Sequence, residues 1–375
     1  MTAQVLCFGF NTKFQRELVD AWTSTLDAKT VDLVLLSRRS CPNVDEHAET
    51  ALKSARRVPE GAVGERLKLH FLRLQYNWIY QQLESSRPEQ VLIYNGLNGV
   101  NYLVSAACRE LELPQLYFER APLQDRVQID PSGVNFQSSV PTDIQFYRAL
   151  AEDEFADCHG ADYVDSHRLN DGPTESDPHS ASTELGSESY VFCPLQVPRD
   201  TQVTVFGGWI TGIPHLLDSL NEASRLLPAD LHLRIKEHPS SPISFAQKVE
   251  SYQNPKLVLD QQHDVYDLVA NSRGVITINS SVGLEAFLFE KPVITIGKAL
   301  YSFGEMTTRA SDLDTLCNAM SGIKSLDWSR LERDRFLKFL FFWFPPMQQV
   351  LGKDYSPSDM RDRDKKYQSL LDVAS

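Results

Sequence analysis

The chain lacks a paired-cysteine signature, a glycine-rich dinucleotide fingerprint, an excess of positive charge and any long apolar run, and each absence removes a class of function. Its six cysteines (Cys7, Cys41, Cys108, Cys158, Cys193, Cys317) are scattered, with no C-x-x-C pair and no His or Cys cluster at zinc spacing. They read as reduced, mostly packed thiols of a cytosolic protein. Lys plus Arg number 37 against 50 for Asp plus Glu, a formal charge of -13. That balance disfavours a nucleic-acid partner, because cationic contacts to phosphates supply most of such affinity. A local basic pocket for a nucleotide is compatible with it. Only Gly9 stands where G-x-G-x-x-G would follow the first strand, which disfavours an oxidoreductase. Residues 1–10 lack the basic segment and apolar core of a signal peptide, and no run approaches the roughly 20 apolar residues of a membrane span. The expected compartment is the cytoplasm.

What is present is alternation of strand and helix. At 375 residues, two domains are expected, each large enough for its own core. Strands at 4–10 and 30–36 flank a helix at 12–26, the unit of a parallel sheet. A helix over 65–84 carries Leu67, Phe71, Leu74, Trp78 and Ile79 on one face. A strand at 90–94 runs into the Asn/Gly loop 95–99, and a helix follows at 102–110. The strand 116–118 delivers Glu119-Arg120-Ala121-Pro122 to the same sheet edge, and residues 127–135, with Asp130, read as an irregular loop. Between 162 and 189 little is available to bury. Strands at 190–197, 231–235, 257–259, 274–278 and 293–296, separated by helices, predict a second doubly wound sheet. The expected division is therefore 1–165, a polar linker 166–189, 190–327, and C-terminal helices 328–375 crossing back to the first domain. Residues 328–344 mix basic side chains with a dense aromatic cluster; packing is favoured over an interfacial membrane helix because Pro345-Pro346 ends the segment.

Two pieces of the second half run from apolar strand into polar groups, Arg234-Ile-Lys236-Glu-His238-Pro239 and Thr277-Ile-Asn-Ser280-Ser281-Val-Gly283-Leu-Glu285-Ala286. In an open α/β sheet, ligands bind beyond the carboxyl ends of the strands, where helix N-termini offer N–H groups to anions. Both pieces belong on that edge. A phosphate there would be held by hydroxyls and backbone donors, with Gly283 permitting close backbone approach.

Taken in order, Glu119-Arg-Ala, Gln196-Val-Pro-Arg-Asp200, Lys236-Glu-His238-Pro239, Ser280-Ser281-Val-Gly-Leu-Glu285 and Lys291-Pro-Val-Ile resemble the bacterial capsule polysaccharide biosynthesis family, which includes retaining beta-Kdo transferases. More distantly they look like the bacterial sialyltransferases. The resemblance covers roughly residues 90–300 and implies a GT-B architecture, two Rossmann-like domains facing a cleft. It also implies a CMP-activated 3-deoxy-2-ulosonic acid as donor, CMP-Kdo first, and a lipid or oligosaccharide acceptor. Peripheral contact with the inner membrane is a separate expectation, and no metal is expected. By the family pattern, Lys236, His238 and Pro239 meet the CMP phosphate, Ser280 and Ser281 bind phosphate as well, and Glu285 takes the cytidine or ribose hydroxyls.

Retention through double displacement needs a carboxylate nucleophile and a general acid/base. Asp200 is the choice for nucleophile and Glu119 for acid/base, with Asp130 in reserve. At Glu119-Arg120-Ala121 the family usually has a second acid and a glycine, so acceptor choice is not carried over. Asp312-Leu-Asp314 and Asp362-Arg-Asp364 have the Asp-x-Asp form of metal-dependent transferases, but the first opens a helix, where acids cap, and the second lies in a charged tail. The alternatives are a sialic- or pseudaminic-acid-type transferase using direct displacement, a sugar epimerase or lyase on the same scaffold, and a non-catalytic nucleotide-sugar-binding assembly subunit.

Overall fold

The computed structural model describes residues 4–374 apart from 34, 56, 152–153, 156–184 and 186–188; Cys158 and most of the expected linker 166–189 lie outside the described residues. The chain divides into two compact units, Met1–Val140 with Trp343–Ser369, and Pro141–Phe342 with Leu370–Ser375.

The first unit runs β1 (Val5–Phe8), α1 (Lys13–Trp22), β2 (Ala28–Thr30), α2 (Val44–Lys53), α3 (Gly61–Ser86), β3 (Gln90–Tyr94), α4 (Gly99–Glu110), β4 (Gln115–Arg120) and β5 (Val127–Asp130). Its sheet has the order β2-β1-β3-β4-β5, parallel except for β5. Strands buried on both faces read as continuous apolar runs, and all of Val5, Leu6, Cys7 and Phe8 are buried. Helix α1 begins where it does because Thr12 and Gln15 cap each other reciprocally, Thr12 Oγ1 accepting from Gln15 N at 3.3 Å.

Three expectations are corrected here. The second strand is three residues long, because the chain beyond it is drawn onto α3, where Gln75 Nε2 donates to Leu33 O at 2.8 Å and Asn77 Nδ2 to Ser37 O at 3.4 Å. Residues 127–130 are a strand, antiparallel to β4 with Glu119 opposite Gln128, and Val127 and Ile129 enter the core. The buried face of α3 is Leu72, Gln75, Tyr76, Ile79 and Leu83; Leu67 and Phe71 face outward.

The second unit holds α5 (Ile144–Ala149), β6 (Tyr190–Pro194), α6 (Thr201–Thr204), α7 (Ile213–Ser224), β7 (His232–Lys236), α8 (Ala246–Ser251), β8 (Leu257–Leu259), α9 (Val265–Asn271), β9 (Val275–Thr277), α10 (Val282–Leu288), β10 (Val293–Thr295), β11 (Thr308–Arg309), α11 (Leu313–Ser321) and α12 (Arg330–Trp343). Its order is β11-β10-β9-β6-β7-β8, every pair parallel. Helices α13 (Met347–Gly352) and α14 (Pro357–Ala374) follow, and Val350, Met347 and Met360 pack into the first unit's core. Asp312 caps α11, accepting from Thr315 N at 2.8 Å.

The aromatic stretch before Pro345 is interior, so the interfacial-membrane alternative is overturned for it. Phe339 packs edge-on against Phe146 at 5.3 Å and Phe336 against Phe303 at 5.5 Å. Arg333 lies between the rings of Phe287 and Trp328, at 4.1 and 4.0 Å, and donates to the carbonyls of Met306 and Lys291 at 2.9 and 2.7 Å. Among the described residues no helix is long and apolar enough to cross a membrane.

Candidate functional site

In the second sheet β6 has β7 on one side and β9 on the other, so the chain reverses its direction of sheet growth beside β6. Loops diverge at such a point and leave a crevice at the strand carboxyl ends. Asn279, just past β9, organises that edge. Its Nδ2 donates to Gln202 O at 2.8 Å, Phe206 O at 3.1 Å and Lys298 O at 3.4 Å, while its Oδ1 accepts from Gln196 Nε2 at 2.9 Å. One buried amide thus joins the segments that leave β6, β9 and β10.

Ser280 is held by its backbone. Its N–H donates to Thr277 Oγ1 at 3.0 Å, its carbonyl accepts from Tyr301 Oη at 2.5 Å, and its Oγ accepts from Val282 N at 3.3 Å. Ser281 opens α10 without a side-chain cap bond and is half-buried. The glycine that follows has a different job from the one its position suggests. A Cβ on Gly283 would sit 2.1 Å from Tyr301 Oη, so the close approach is made by a buried tyrosine of the same unit. Burial, with the nearby Glu285 charge, pushes the Tyr301 hydroxyl up and keeps it a donor. Glu285 stands half-buried in the first turn of α10.

Across β6, Lys236 ends β7 in register with Pro194, and its carbonyl accepts from Leu195 N at 2.8 Å. Glu237 turns away to accept from Ser244 Oγ at 3.0 Å and from Phe245 N. His238 is exposed, and its Nδ1 accepts from Ser240 N at 3.0 Å. That bond requires Nδ1 to be unprotonated, so the neutral ring carries its proton on Nε2 and offers it as a donor. Exposed Pro239 forms the turn. Lys236 with His238, and Ser280 with Ser281, therefore leave the two strands that flank β6 at the same edge.

The neighbouring strand end holds an ion cluster that sequence reading missed. Arg234 Nη1 lies 2.5 Å from Asp260 Oδ2, which is 2.8 Å from His263 Nδ1. Burial alone would raise the Asp260 carboxyl, but its bonds from His263 and Gln262 hold it below the usual range.

Asp200 sits beyond the end of β6 as the N-cap of α6, its Oδ1 accepting from Gln202 N at 2.8 Å. Since Gln202 O is bound by Asn279, the Asp200 turn is tethered to the β9 edge. The cap explains this carboxylate locally, at a half-buried position.

In the first unit Glu119 lies at the carboxyl end of β4 and is held from β3: Tyr94 Oη donates to Oε1 and Asn95 Nδ2 to Oε2, both at 2.7 Å. Arg120 N adds a bond to Oε1 at 2.9 Å. Burial first, and Glu119 second, push the Tyr94 hydroxyl up, so it remains protonated beside the carboxylate. Asn95 has φ of 65°, which an Asn tolerates, so the Asn/Gly loop is both a tight turn and a donor to Glu119. The sequence marks the loop that begins at Asn95 but not Tyr94, whose available signal was its place at a strand's carboxyl end.

Asp130 is 0% exposed. Its Oδ1 accepts from Ser132 N, Gly133 N and Ser139 Oγ at 2.9, 3.3 and 2.9 Å, and its Oδ2 from Ser139 N and Trp343 Nε1 at 2.8 and 3.2 Å. A carboxylate so enclosed holds the loop after β5 and has no oxygen facing solvent.

Residues 172–320 match the family described as "Capsule polysaccharide biosynthesis protein". Protein FixF of Sinorhizobium fredii is 28% identical over 291 residues, 77% of this chain and 65% of FixF. The capsule polysaccharide modification protein LipB of Neisseria meningitidis is 29% identical over 126 residues, 32% of this chain and 30% of LipB. The chain thus spans less than two thirds of FixF and under a third of LipB. Among solved structures, the Thermosulfurimonas dismutans KpsC beta Kdo 2,7 transferase superposes with a TM-score of 0.52 at 12% identity, covering 89% of each chain. That likeness is one of fold, the GT-B-like α/β fold of two doubly wound units. The match to the capsule polysaccharide biosynthesis family thus lies in residues 172–320, most of the second unit, and the chain is similar to these relatives over parts of their length.

Proposed function

We propose that this chain is a glycosyltransferase that moves a 3-deoxy-2-ulosonic acid, Kdo first, from its CMP-activated form to a lipid or glycan acceptor in bacterial capsule or surface polysaccharide synthesis. The observation that carries the reading is the common exit of Lys236-His238 and Ser280-Ser281 from the strands on either side of β6. A cationic ammonium, an imidazole N–H and two hydroxyls are what the phosphate of a nucleoside monophosphate requires. Glu285 supplies an acceptor for ribose or cytosine donors. The fold shared with a beta Kdo transferase and the match to capsule biosynthesis proteins support the same assignment.

In this reading Asp200 attacks the anomeric carbon as CMP departs, forming a glycosyl ester. Glu119 then takes the proton of the acceptor hydroxyl as that oxygen displaces Asp200. Three donors fix the Glu119 carboxylate, which suits a group that must meet a hydroxyl in one orientation. Asp130 receives no chemical step. A second reading, direct displacement from a CMP-sialic or CMP-pseudaminic acid, is favoured by one observation, the cap role that accounts for Asp200 without a nucleophile. A third, a non-catalytic nucleotide-sugar-binding subunit, differs in needing neither carboxylate.

The test is CMP release and thermal shift on CMP-Kdo, CMP-sialic acid, CMP-pseudaminic acid and UDP-sugars, with and without EDTA. EDTA-insensitive steady-state release from CMP-Kdo with acceptor present, lost in folded Asp200→Asn and Glu119→Gln proteins, is expected. Stabilisation by no cytidine nucleotide overturns the assignment.

A further inference from the structure

Exposed apolar side chains scattered singly are ordinary. On this chain half of them are gathered in one place: of the ten large exposed hydrophobics among the described residues, five fall on α3 and the segment beside it. Val63, Leu67 and Phe71 recur every fourth residue along one row of the helix and are 73%, 66% and 38% exposed. Leu35 and Leu36 adjoin that row, because Leu33 O and Ser37 N are hydrogen-bonded to Gln75 and Leu74 of α3.

The flanks of the row are basic. At about 100° per residue, Arg66 and Lys68 fall on either side of Leu67, while Glu65 falls on the far face. Lys68 Nζ lies 5.6 Å from the Phe71 ring centroid. Lys68 is half-buried, while Arg66, Arg57 ahead of the helix and Arg38 after Leu36 are exposed. Among the described residues no ion pair engages any of these four cations. The exposed Glu60, at the N-cap position of the helix and the head of the row, and Asp32 beside Leu33 offset part of this charge, and the four cations still leave the stripe locally positive on a chain of net charge -13.

We infer that the N-terminal half of α3, with Leu35 and Leu36, docks this unit on an anionic lipid bilayer. The apolar row enters the headgroup and acyl boundary, and Arg66 and Lys68 lie along the surface with their charged ends among the lipid phosphates. Charge decides between occupants. A second copy of the chain would bring the same cations against their equivalents, whereas an anionic surface neutralises them and offsets the repulsion of an otherwise acidic protein. The inference does not depend on the identity of the donor.

The test is co-sedimentation of the full chain with vesicles of phosphatidylglycerol and phosphatidylethanolamine, against vesicles of phosphatidylcholine, at low and high salt. Binding to the anionic vesicles alone, weakened by salt, is expected. Leu67→Glu with Phe71→Glu, and separately Arg66→Glu with Lys68→Glu, should each weaken it by about tenfold or more. Leu226→Glu, at an exposed apolar position elsewhere, should not. These positions are at the surface, so unchanged thermal unfolding will accompany the loss. Equal binding to neutral vesicles, indifference to both double substitutions, or conversion of a dimer to a monomer by Leu67→Glu with Phe71→Glu would each overturn the proposal.

Discussion

Gln196 donates to Asn279 at 2.9 Å where the second sheet reverses its growth, and the same Asn279 amide donates to three backbone carbonyls. An amide accepts from Gln196 and donates to the carbonyls at once, which neither a carboxylate nor an ammonium can do. Asn279→Ala removes the side-chain donor to the Gln202 and Lys298 carbonyls, leaves the buried Phe206 carbonyl with Lys298 N alone, takes the acceptor from Gln196 Nε2, and is expected to cost about 2–3 kcal/mol in urea unfolding. Asn279→Asp, which sets a charge against those carbonyls, should cost more at neutral pH and recover part of the difference on acidification.

Glu119 is expected to lose function by substitution in graded steps. Glu119→Gln keeps the shape and removes the base, and should lower kcat by about 100-fold or more. Tyr94→Phe removes one of three orienting donors, and should lower kcat by about tenfold while the KM for donor changes little. Steady-state CMP release with acceptor present separates the two. Equal kcat in all three proteins would remove Glu119 from the mechanism.

Asp130 sets a pH dependence whose sign follows from its burial. Desolvation raises its carboxyl above the unfolded value, against the pull of its hydrogen bonds. Its contribution is therefore fully present below the unfolded value and is lost as pH rises through the folded one. Asp130→Asn places an amide N–H₂ toward N–H donors and should destabilise by about 2–4 kcal/mol. The gap between wild type and Asp130→Asn in chemical unfolding should widen as pH falls from neutrality; a gap that narrows would reverse the assigned shift.

Gly283 is required by Tyr301. A Cβ there meets Oη at 2.1 Å and Cζ at 2.6 Å, and the ring is buried. Gly283→Ala is expected to cost about 2–3 kcal/mol. Combined with Tyr301→Phe, which removes the nearest atom, it should cost less than the sum of the two single changes, read from a thermodynamic cycle.

Local signals were legible where local physics decides. The strands at 90–94 and 257–259 and the helix at 265–271 stand where the apolar runs and caps put them. The face of α3 was not legible, because a 26-residue helix with apolar side chains on several sides offers more than one stripe, and α2 and α4 cover the one through Leu72, Tyr76 and Ile79. The strand at 127–130 was missed because a four-residue stretch gains its identity from pairing with β4. The aromatic stretch on α12 admits two readings by composition; the rings of Phe146, Tyr147 and Phe303, far away in the chain, decide for the interior.

By itself the sequence determined the alternation of strand and helix, the doubly wound α/β class and the candidate Lys236-His238 and Ser280-Ser281 pieces, since apolar periodicity, caps and motifs act over a few residues. Tertiary structure alone decided which polar groups are engaged. Asp130 is enclosed partly by Trp343, 213 residues away, and Asn279 is tied to Gln196 across 83. Burial and hydrogen bonding depend on what the folded chain brings near, and a carboxylate's neighbours in sequence do not say what those partners are.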